Sequence, residues 1–245
     1  MTVDRRLAIA PNPAARAAAR NNAEWCDSLC RAHGIPGRFD TDAWVNPHRT
    51  PRYYPDAVSL DPAAIAGSIL ERIDTISTGP SVKDSFATLE LGQFGYQVVH
   101  EAEWIYRDPP PSAIVGPADL TWTRIETVDE LVAWETAWDV DGTSDRLIRP
   151  ALLRDPSVTV LGGYVDGVIV AGAIANRSKP KLVGLSNVFT TEDDSDRAWS
   201  GVLAYVDAAL LGSAVVGYEA GTDLTVALGQ GFRSVGPLRI WLREP

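Results

Sequence analysis

Two cysteines and a histidine lie close together in the segment AEWCDSLCRAHG. Cys26 and Cys30 are four residues apart, which in a helix places both thiols on one face, with His33 about one turn further along. Thiolates and imidazoles bind zinc, but a structural zinc site takes four ligands, commonly from tight pairs such as CxxC. Only His48, far along the chain, could be the fourth. We therefore favour small buried thiols over a metal site, and no disulfide.

A second group of titratable residues, His100, Glu101 and Glu103, lies on a predicted strand. Side-chain alternation puts Glu101 and Glu103 on one face and His100 on the other. An acid–base pair is one interpretation, and a solvated strand face is the favoured one. The sequence contains no GxSxG, P-loop, HExxH or dinucleotide-binding signature, and its three histidines form no obvious triad. Candidate chemistry must therefore be sought through the elements that position it.

Composition limits the kind of protein. The chain has 245 residues, 45% of them hydrophobic and 22% charged, which is typical of globular proteins with one large domain or two small ones. Its formal net charge of −10 disfavours nucleic acid and anionic membranes as partners, because binding to phosphates needs clustered Lys and Arg. The segment MTVDRRLAIAPNPAARAAAR lacks the apolar core of a signal peptide, and no segment approaches the length of a membrane span. We expect a cytoplasmic protein.

The second half of the chain predicts a regular order of elements. A strand at Trp122 to Ile125 is followed by a helix that Thr127 or Asp129 can cap, with apolar residues at helical spacing. After a connector, Asp166 and Gly167 form a strong hairpin signal between two β-branched runs. The remaining elements are a strand at Leu182 to Thr190, a helix at Ser195 to Leu211, a strand in AVVGYEAG, a short helix in TDLTVALGQ and a closing strand in RSVGPLRIWLRE.

One short phrase occurs twice, as LGQFGY at Leu91 to Tyr96 and as LGQGF at Leu228 to Phe232. Each phrase precedes an aromatic strand containing a tryptophan, Trp104 or Trp241, which we predict to be buried. Coincidence is the alternative, because a helix that ends at Gly before an aromatic strand is common. The repeat predicts two similar halves, residues 1–110 and 121–245, joined by the Pro-rich segment DPPPSAIVGPADL.

The first half then reads as a partial copy of the second. RYYPDAVSLDPAAIAGSILERI predicts a strand followed by a helix, with Asp61 as its cap and Pro62 at the first helical position. The segment from Ser81 to Tyr106 predicts a closing helix, capped by Asp84, and the closing strand.

The order strand, helix, hairpin, strand, helix, strand, helix, strand over Trp122 to Glu244 resembles the GNAT N-acetyltransferase fold. The most specific parts of this resemblance are the closing segment ALGQGFRSVG and the hairpin GGYVDGVIVAGAIA. The resemblance implies a mixed α/β fold in which a GNAT-like sheet is flanked by helices, in two GNAT-like halves of which the first is partial. It also implies an acyltransferase that uses acetyl-CoA or another acyl-CoA, without a metal, on the amine of a small molecule.

The resemblance also assigns positions for the acyl-CoA. The backbone of Val188 and Thr190 would pair with the pantetheine amides. In GNAT proteins the pyrophosphate rests on backbone N–H groups within the pattern Q/RxxGxG/A, at the start of the helix after the fourth strand. Arg197, Ser200 and Gly201 lie at or beside the matching positions, with Ser200 where the pattern has Gly. The acidic run TEDDSD lies just upstream and opposes phosphates.

Two residues are candidates for catalysis by the same resemblance. Glu219 ends a strand that opens into the cleft and is the candidate base; the alternative is that it caps the following helix. Asn187 would hold the substrate carbonyl or a water, or instead tie a bulge. The tyrosine that many GNAT members use as the acid is replaced by Ala227.

Three classes of function stay open at this point. The first is an acyl-CoA-dependent N-acyltransferase with the first half shaping the substrate cleft. The second is a GNAT-fold protein that has lost CoA chemistry and binds a metabolite or a protein partner. The third, transfer from aminoacyl-tRNA, is disfavoured by the net charge.

Overall fold

Short apolar runs separated by Gly-, Pro- and Asp-rich turns form the helices and strands of this computed structural model, which describes residues 12–112, 114–139, 142 and 146–244. The helices are α1 (Pro13–Ala32), α2 (Ala66–Leu70), α3 (Val128–Trp138), α4 (Ser195–Ala209) and α5 (Gly221–Gly229). The strands are β1 (Arg38–Phe39), β2 (Ala43–Val45), β3 (Ala57–Ser59), β4 (Ser81–Asp84), β5 (Gln97–Arg107), β6 (Thr121–Arg124), β7 (Val158–Val165), β8 (Val168–Lys179), β9 (Leu182–Thr190), β10 (Ala214–Glu219) and β11 (Arg233–Leu242). Two 3₁₀ helices lie at Gly92–Phe94 and Pro150–Arg154.

The described strands form one mixed sheet of eleven strands, in the order β1-β2-β3-β4-β11-β5-β10-β9-β8-β7-β6. Only the pairs β3–β4 and β9–β10 are parallel. Helices α1 and α3 cover one face of the sheet, and α4 and α5 cover the other. Because α1 contacts β3 and β11 as well as β5, β8, β9 and β10, the sheet wraps around this helix. Strands from both ends of the chain therefore meet around α1.

The two aromatic strands that follow the repeated phrase are neighbours at the centre of the sheet. β5 pairs antiparallel with β11, while β11 also pairs with β4 and β5 with β10. Each closing strand thus lies between the other closing strand and a strand from the other half of the chain. We expected a sheet in each half, but the described strands form one continuous sheet. The division into residues 1–110 and 121–245 stays a prediction.

The predicted elements of the second half are confirmed. Thr127 caps α3 in a capping box, its hydroxyl accepting from the Glu130 N–H while the Glu130 carboxylate accepts from the Thr127 N–H. Asp166 and Gly167 both have positive φ, 49° and 80°, as the tight hairpin turn requires. The strand Leu182 to Thr190 has the predicted bounds, and α4 ends two residues earlier than predicted.

Of the two helices predicted in the first half, one is shorter than predicted, and the segment of the other forms a loop. α2 is only five residues long, and its N-cap is Ile65; the Asp61 carboxylate instead accepts from the Ala63 N–H at 2.8 Å in a local turn. Asp84 caps no helix. It is fully buried at the end of β4, and its carboxylate accepts from the N–H groups of Thr88 and Leu89, which holds this segment as a loop. A buried carboxylate satisfied by consecutive loop amides leaves no helix to cap.

We expect the Thr127→Ala variant to lose about 1 kcal/mol of unfolding free energy, because the variant leaves the Glu130 N–H without its cap. Urea denaturation followed by circular dichroism measures the loss. Thr136→Ala is the matched control in the same helix, since the Thr136 hydroxyl only donates to the carbonyl of Val132. Equal stability of Thr127→Ala and the parent would contradict a stabilising cap.

Candidate active site

The two parallel strands at the middle of the sheet separate after three residue pairs. β9 and β10 pair only through Leu182–Gly184 and Ala214–Val216. Gly217 lies where they part, and a Cβ there would be only 3.0 Å from the carbonyl oxygen of Leu185. Beyond this point β9 pairs only with β8, and β10 only with β5. The facing edges of both strands therefore border a gap.

A bulge in β9 sets the direction of the side chains along this gap. Ser186 pairs with Ile174 and Phe189 with Gly172, so two residues of β9 oppose one of β8. Asn187, the first of the two, has a φ of 52°, a conformation that Asn tolerates better than most residues. Leu185, before the bulge, and Val188, the second of the two bulge residues, both pack in the core beneath α4. Asn187 therefore does form the bulge that was its structural alternative.

Glu219 lies at the end of β10, beyond the last residue pair that joins β9 and β10. It does not cap α5, because the N-cap of that helix is Ala220, which makes no side-chain cap. Among the described residues the Glu219 carboxylate has no hydrogen-bond or ion-pair partner. Burial, with a contribution from the carboxylate of Asp223, raises the pKa of Glu219 to about 8. The group is thus mostly protonated at neutral pH and releases its proton in mildly alkaline solution.

Glu219 borders three clefts. Two of them lie one on each side of the gap, and the third, with a volume of about 310 Å³, is lined by residues of β5, β11 and the start of α5. The α4 cleft, with a volume of about 230 Å³, lies beneath the start of α4. Its lining residues are Val188, Phe189, Thr190, Ser195, Ala198, Trp199, Glu219 and Asp223. The predicted residues Val188, Thr190 and Glu219 meet here.

The α1 cleft, with a volume of about 260 Å³, lies between α1 and the sheet. Its lining residues are Asn22, Trp25, Cys26, Tyr53, Tyr54, Pro55, Lys83, Leu185, Ser186, Asn187, Val188, Tyr218 and Glu219. Both halves of the chain contribute. The Tyr54 hydroxyl, from the loop before β3, lies 3.4 Å from Asn187 Oδ1, and burial raises the pKa of Tyr54 well above its usual range. Tyr54 is therefore a neutral hydrogen-bond donor here.

Three predicted phosphate-binding residues are not at the clefts. Arg197 lies in the first turn of α4 and forms ion pairs with Glu192 and, at 3.0 Å, with Asp119. Ser200 and Gly201 lie in the second turn, where helix geometry commits their N–H groups to hydrogen bonds within the helix. Gly201 leaves room for the indole of Trp122, which a Cβ would clash with. Its missing side chain thus serves packing.

The start of α4 lacks a preformed cationic site. The Asp194 carboxylate caps the helix by accepting from the Arg197 N–H at 3.0 Å. The N–H groups of Ser195 and Asp196 have no acceptor among the described residues, as helix starts allow. An acyl-CoA therefore fits this chain in part: the gap between β9 and β10 matches an extended pantetheine arm, while Arg197 would have to leave its carboxylates to reach a phosphate.

The cysteines do not form a reactive or metal-binding group in the described part of the chain. Burial raises the pKa of Cys26 to about 11 and that of Cys30 still further, so both are neutral thiols. The His33 Nε2 lies 2.8 Å from the carbonyl of Leu147, away from the thiols. Within the described ranges no three His, Cys, Asp or Glu residues are arranged to hold a metal ion.

The second group of titratable residues lies on β5, where Glu101 forms an exposed ion pair with Arg239.

Sequence reasoning missed most of the α1 cleft. Lys83 and Tyr54 were not singled out, although Lys83 is one of only three lysines in the sequence. A lysine in a buried strand is a usable signal of a binding site, because burying an ammonium costs free energy unless partners compensate its charge.

Comparison with known proteins identifies the fold. No family model and no curated protein matches the chain. A GCN5-related N-acetyltransferase from Kribbella flavida superposes with a TM-score of 0.63 at 15% identity, covering 96% of each chain. A conserved protein of unknown function from Staphylococcus epidermidis gives 0.60 at 12% identity, covering 84% of this chain and 92% of that one. A GCN5-related N-acetyltransferase-like protein from Streptococcus suis gives 0.53 at 13% identity, covering 95% and 98%.

The chain therefore has the GNAT fold, as the order of its elements predicted: a large open mixed sheet flanked by helices. At these identities the likeness concerns the fold alone. None of the helices in the described ranges is long and apolar enough to span a membrane.

Proposed function

We propose that this protein is an N-acyltransferase that transfers an acyl group, such as acetyl, from acyl-CoA to the amine of a small molecule. One observation carries the proposal: the carboxylate of Glu219 borders both the α4 cleft and the α1 cleft, at the gap between β9 and β10. A donor in one cleft and an acceptor in the other would meet beside a group able to take up a proton.

The α4 cleft is the candidate donor site. The edges of Val188 and Thr190 that face away from β8 pair with none of the described strands, so the amides of a pantetheine arm could pair with them as an added strand would. Acyl-CoA, when bound, supplies the acyl group as a thioester. The backbone N–H groups of Ser195 and Asp196, at the positive end of the α4 dipole, would face its phosphates.

The α1 cleft is the candidate acceptor site. Glu219 would take the proton from the acceptor ammonium once its own carboxyl group has ionised, since its raised pKa lies near the working pH. Asn187 is held at the cleft wall by its bulge and its contact with Tyr54, and its amide would orient the acceptor. The aromatic rings of Trp25, Tyr54 and Tyr218 keep water from the reacting groups.

Titration calorimetry with acetyl-CoA tests the donor half of the proposal. We expect saturable binding, and release of free CoA when a panel of small primary amines is added. Absence of heat in the millimolar range, both for the parent and for variants with fewer acidic residues at α4, would exclude acyl-CoA as the donor.

Neutralising the acidic residues at the start of α4 should tighten acetyl-CoA binding. A Glu192→Gln variant removes one carboxylate that holds Arg197 and one negative charge that opposes the phosphates. We expect the dissociation constant to fall severalfold, by an amount that shrinks with added salt. Arg197→Ala should raise the dissociation constant of acetyl-CoA.

The control for that comparison is Glu90→Gln, which removes one negative charge from an exposed site in the first half of the chain. Equal effects of Glu192→Gln and Glu90→Gln would mean that net charge, and not the local arrangement, is what matters. Identical constants for Arg197→Ala and the parent would contradict phosphate binding at this helix.

A second candidate function is a GNAT-fold protein that binds a metabolite or partner without CoA. The ion pairs of Arg197 with Glu192 and Asp119 favour it, because they occupy the cation in the first turn of α4. This candidate predicts ligand binding in the α1 cleft with no response to acetyl-CoA.

A further inference from the structure

The α1 cleft contains a buried ammonium. Lys83, on β4, is only 3% exposed. Its Nζ lies 2.8 Å from Asn22 Oδ1 and 4.0 Å from the centre of the Tyr218 ring. No carboxylate of the described residues forms an ion pair with it. The charge is thus held by a neutral amide and an aromatic face.

This arrangement leaves part of the ammonium unsatisfied. An ammonium has three N–H donors, and one of them is used by Asn22. A buried charge costs free energy unless an opposite charge or several hydrogen bonds compensate it. The contrast with Arg107 is direct, because that buried guanidinium is held by both carboxylate oxygens of Asp207, at 3.0 and 2.9 Å. Lys83 therefore keeps donors with which it could bind an anionic group of a ligand.

A second group in the same cleft also lacks a partner. The hydroxyl oxygen of Ser186 is buried and has no hydrogen-bond partner among the described residues. Ser186 lies on β9 just before the bulge and lines the α1 cleft together with Lys83. A hydroxyl and an ammonium both donate hydrogen bonds, and together they match the oxygens of an anion.

The charges of the cleft are complementary to a zwitterion. Among its lining residues Lys83 carries the ammonium and Glu219 the carboxyl group, which ionises in mildly alkaline solution, while Cys26 is a neutral thiol. One cationic and one acidic group match a molecule with an amino group at one end and an anionic group at the other. The volume of about 260 Å³ suits a ligand smaller than most drug-sized molecules.

We propose that Lys83 and Ser186 form a carboxylate-binding subsite, so that the α1 cleft takes a free amino acid whose amino group faces Glu219. The acceptor role of that amino group rests on the proposed function, whereas the binding of the carboxylate does not. The subsite would orient the amino acid through its carboxylate and would discriminate against amines that lack one.

The test compares matched ligands on the full-length protein. The twenty proteinogenic L-amino acids, and the amide of each that binds, are titrated in the absence of acetyl-CoA, with thermal stabilisation and calorimetry as readouts. We expect at least one amino acid to bind and its amide to bind at least about 10-fold more weakly, because a charged hydrogen bond is lost. Equal binding of acid and amide, or no binding of any amino acid in the millimolar range, would overturn the proposal.

Variants assign the effect to the subsite. Lys83→Met keeps an unbranched side chain one atom shorter and without the charge, and Ser186→Ala removes only the hydroxyl. Lys179→Met, at an exposed lysine outside the cleft, is the control for a lost positive charge. We expect Lys83→Met and Ser186→Ala to bind the amino acid more weakly than the parent does. Lys179→Met should bind it as tightly as the parent does. If Lys83→Met does not fold, Ser186→Ala decides, and unchanged acid-over-amide preference in it would refute the subsite.

Acyl transfer is measured separately, as CoA release from acetyl-CoA with each acid–amide pair. If acids bind but no CoA is released, the subsite stands and the acyltransferase proposal fails. If amides are acetylated as well as acids, the acyltransferase proposal stands and the subsite fails.

Discussion

Replacing Trp104 by Ala is expected to lower the unfolding free energy by about 3–5 kcal/mol, among the largest losses that a single core substitution causes. Trp104 lies on β5 between β10 and β11, in the strand that joins the two parts of the sheet, and it has no exposed surface. Its indole N–H donates to the carbonyl of Ser85 at 2.7 Å, and its ring meets Tyr218 edge-on at 5.6 Å. The variant therefore loses packing and leaves a buried carbonyl unsatisfied.

Urea denaturation followed by circular dichroism measures this loss. Val99→Ala is the matched control, because Val99 lies on the same strand and is 52% exposed; we expect a change of no more than about 0.5 kcal/mol. A Trp104→Ala variant that unfolds at the same urea concentration as the control would contradict the central place of β5 in the core.

The burial of Trp104 and Trp241 was predicted from the repeated phrase and is confirmed. What the repeat did not predict is that the two strands lie side by side, each paired to a strand of the other half. Alternating apolar residues indicate which face of a strand is buried, but they carry no information on which distant strand will be its neighbour. β5 takes both of its neighbours, β10 and β11, from the other side of the predicted boundary.

The second half of the fold was predictable because its local signals agree. The capping box at Thr127, the turn at Asp166 and Gly167 and the helical spacing of α4 each specify one conformation. In the first half the signals were misleading. Asp84 has the sequence of a helix cap, but its burial and its bonds to loop amides are tertiary facts that no local pattern contains.

The same distinction holds for the candidate site. Glu219, Asn187, Val188 and Thr190 were assigned through the resemblance to the GNAT fold, which rests on strands whose order the sequence predicted. The opposite wall of the α1 cleft comes from α1, from the loop at Tyr54 and from β4, all distant in sequence. It forms only because the sheet wraps around α1, so Lys83 and Tyr54 could not be placed beside Glu219 from their positions in the chain.

The Glu219→Gln variant is expected to lose about 100-fold in kcat/KM for acyl transfer, within the range that general base catalysis contributes. In the parent, kcat/KM should rise with pH until the carboxyl group of Glu219 has ionised, with an inflection near its raised pKa of about 8, and then level off. The sign follows from the role: the base form is the carboxylate, which is scarce below that pH and complete above it.

In Glu219→Gln that inflection should disappear, and the remaining rate should follow the fraction of acceptor present as free amine. At high pH a free amine needs less help from a base, so kcat/KM of the variant should approach that of the parent there. Glu103→Gln is the matched control, because Glu103 pairs with Glu219 across β5 and β10 but does not border the α4 or α1 cleft. Asp223→Asn should keep the inflection but move it to lower pH, since the Asp223 carboxylate contributes to the raised pKa of Glu219. A parent inflection that persists in Glu219→Gln would show that another group takes the proton, and the gap between β9 and β10 would then position substrates without supplying the base.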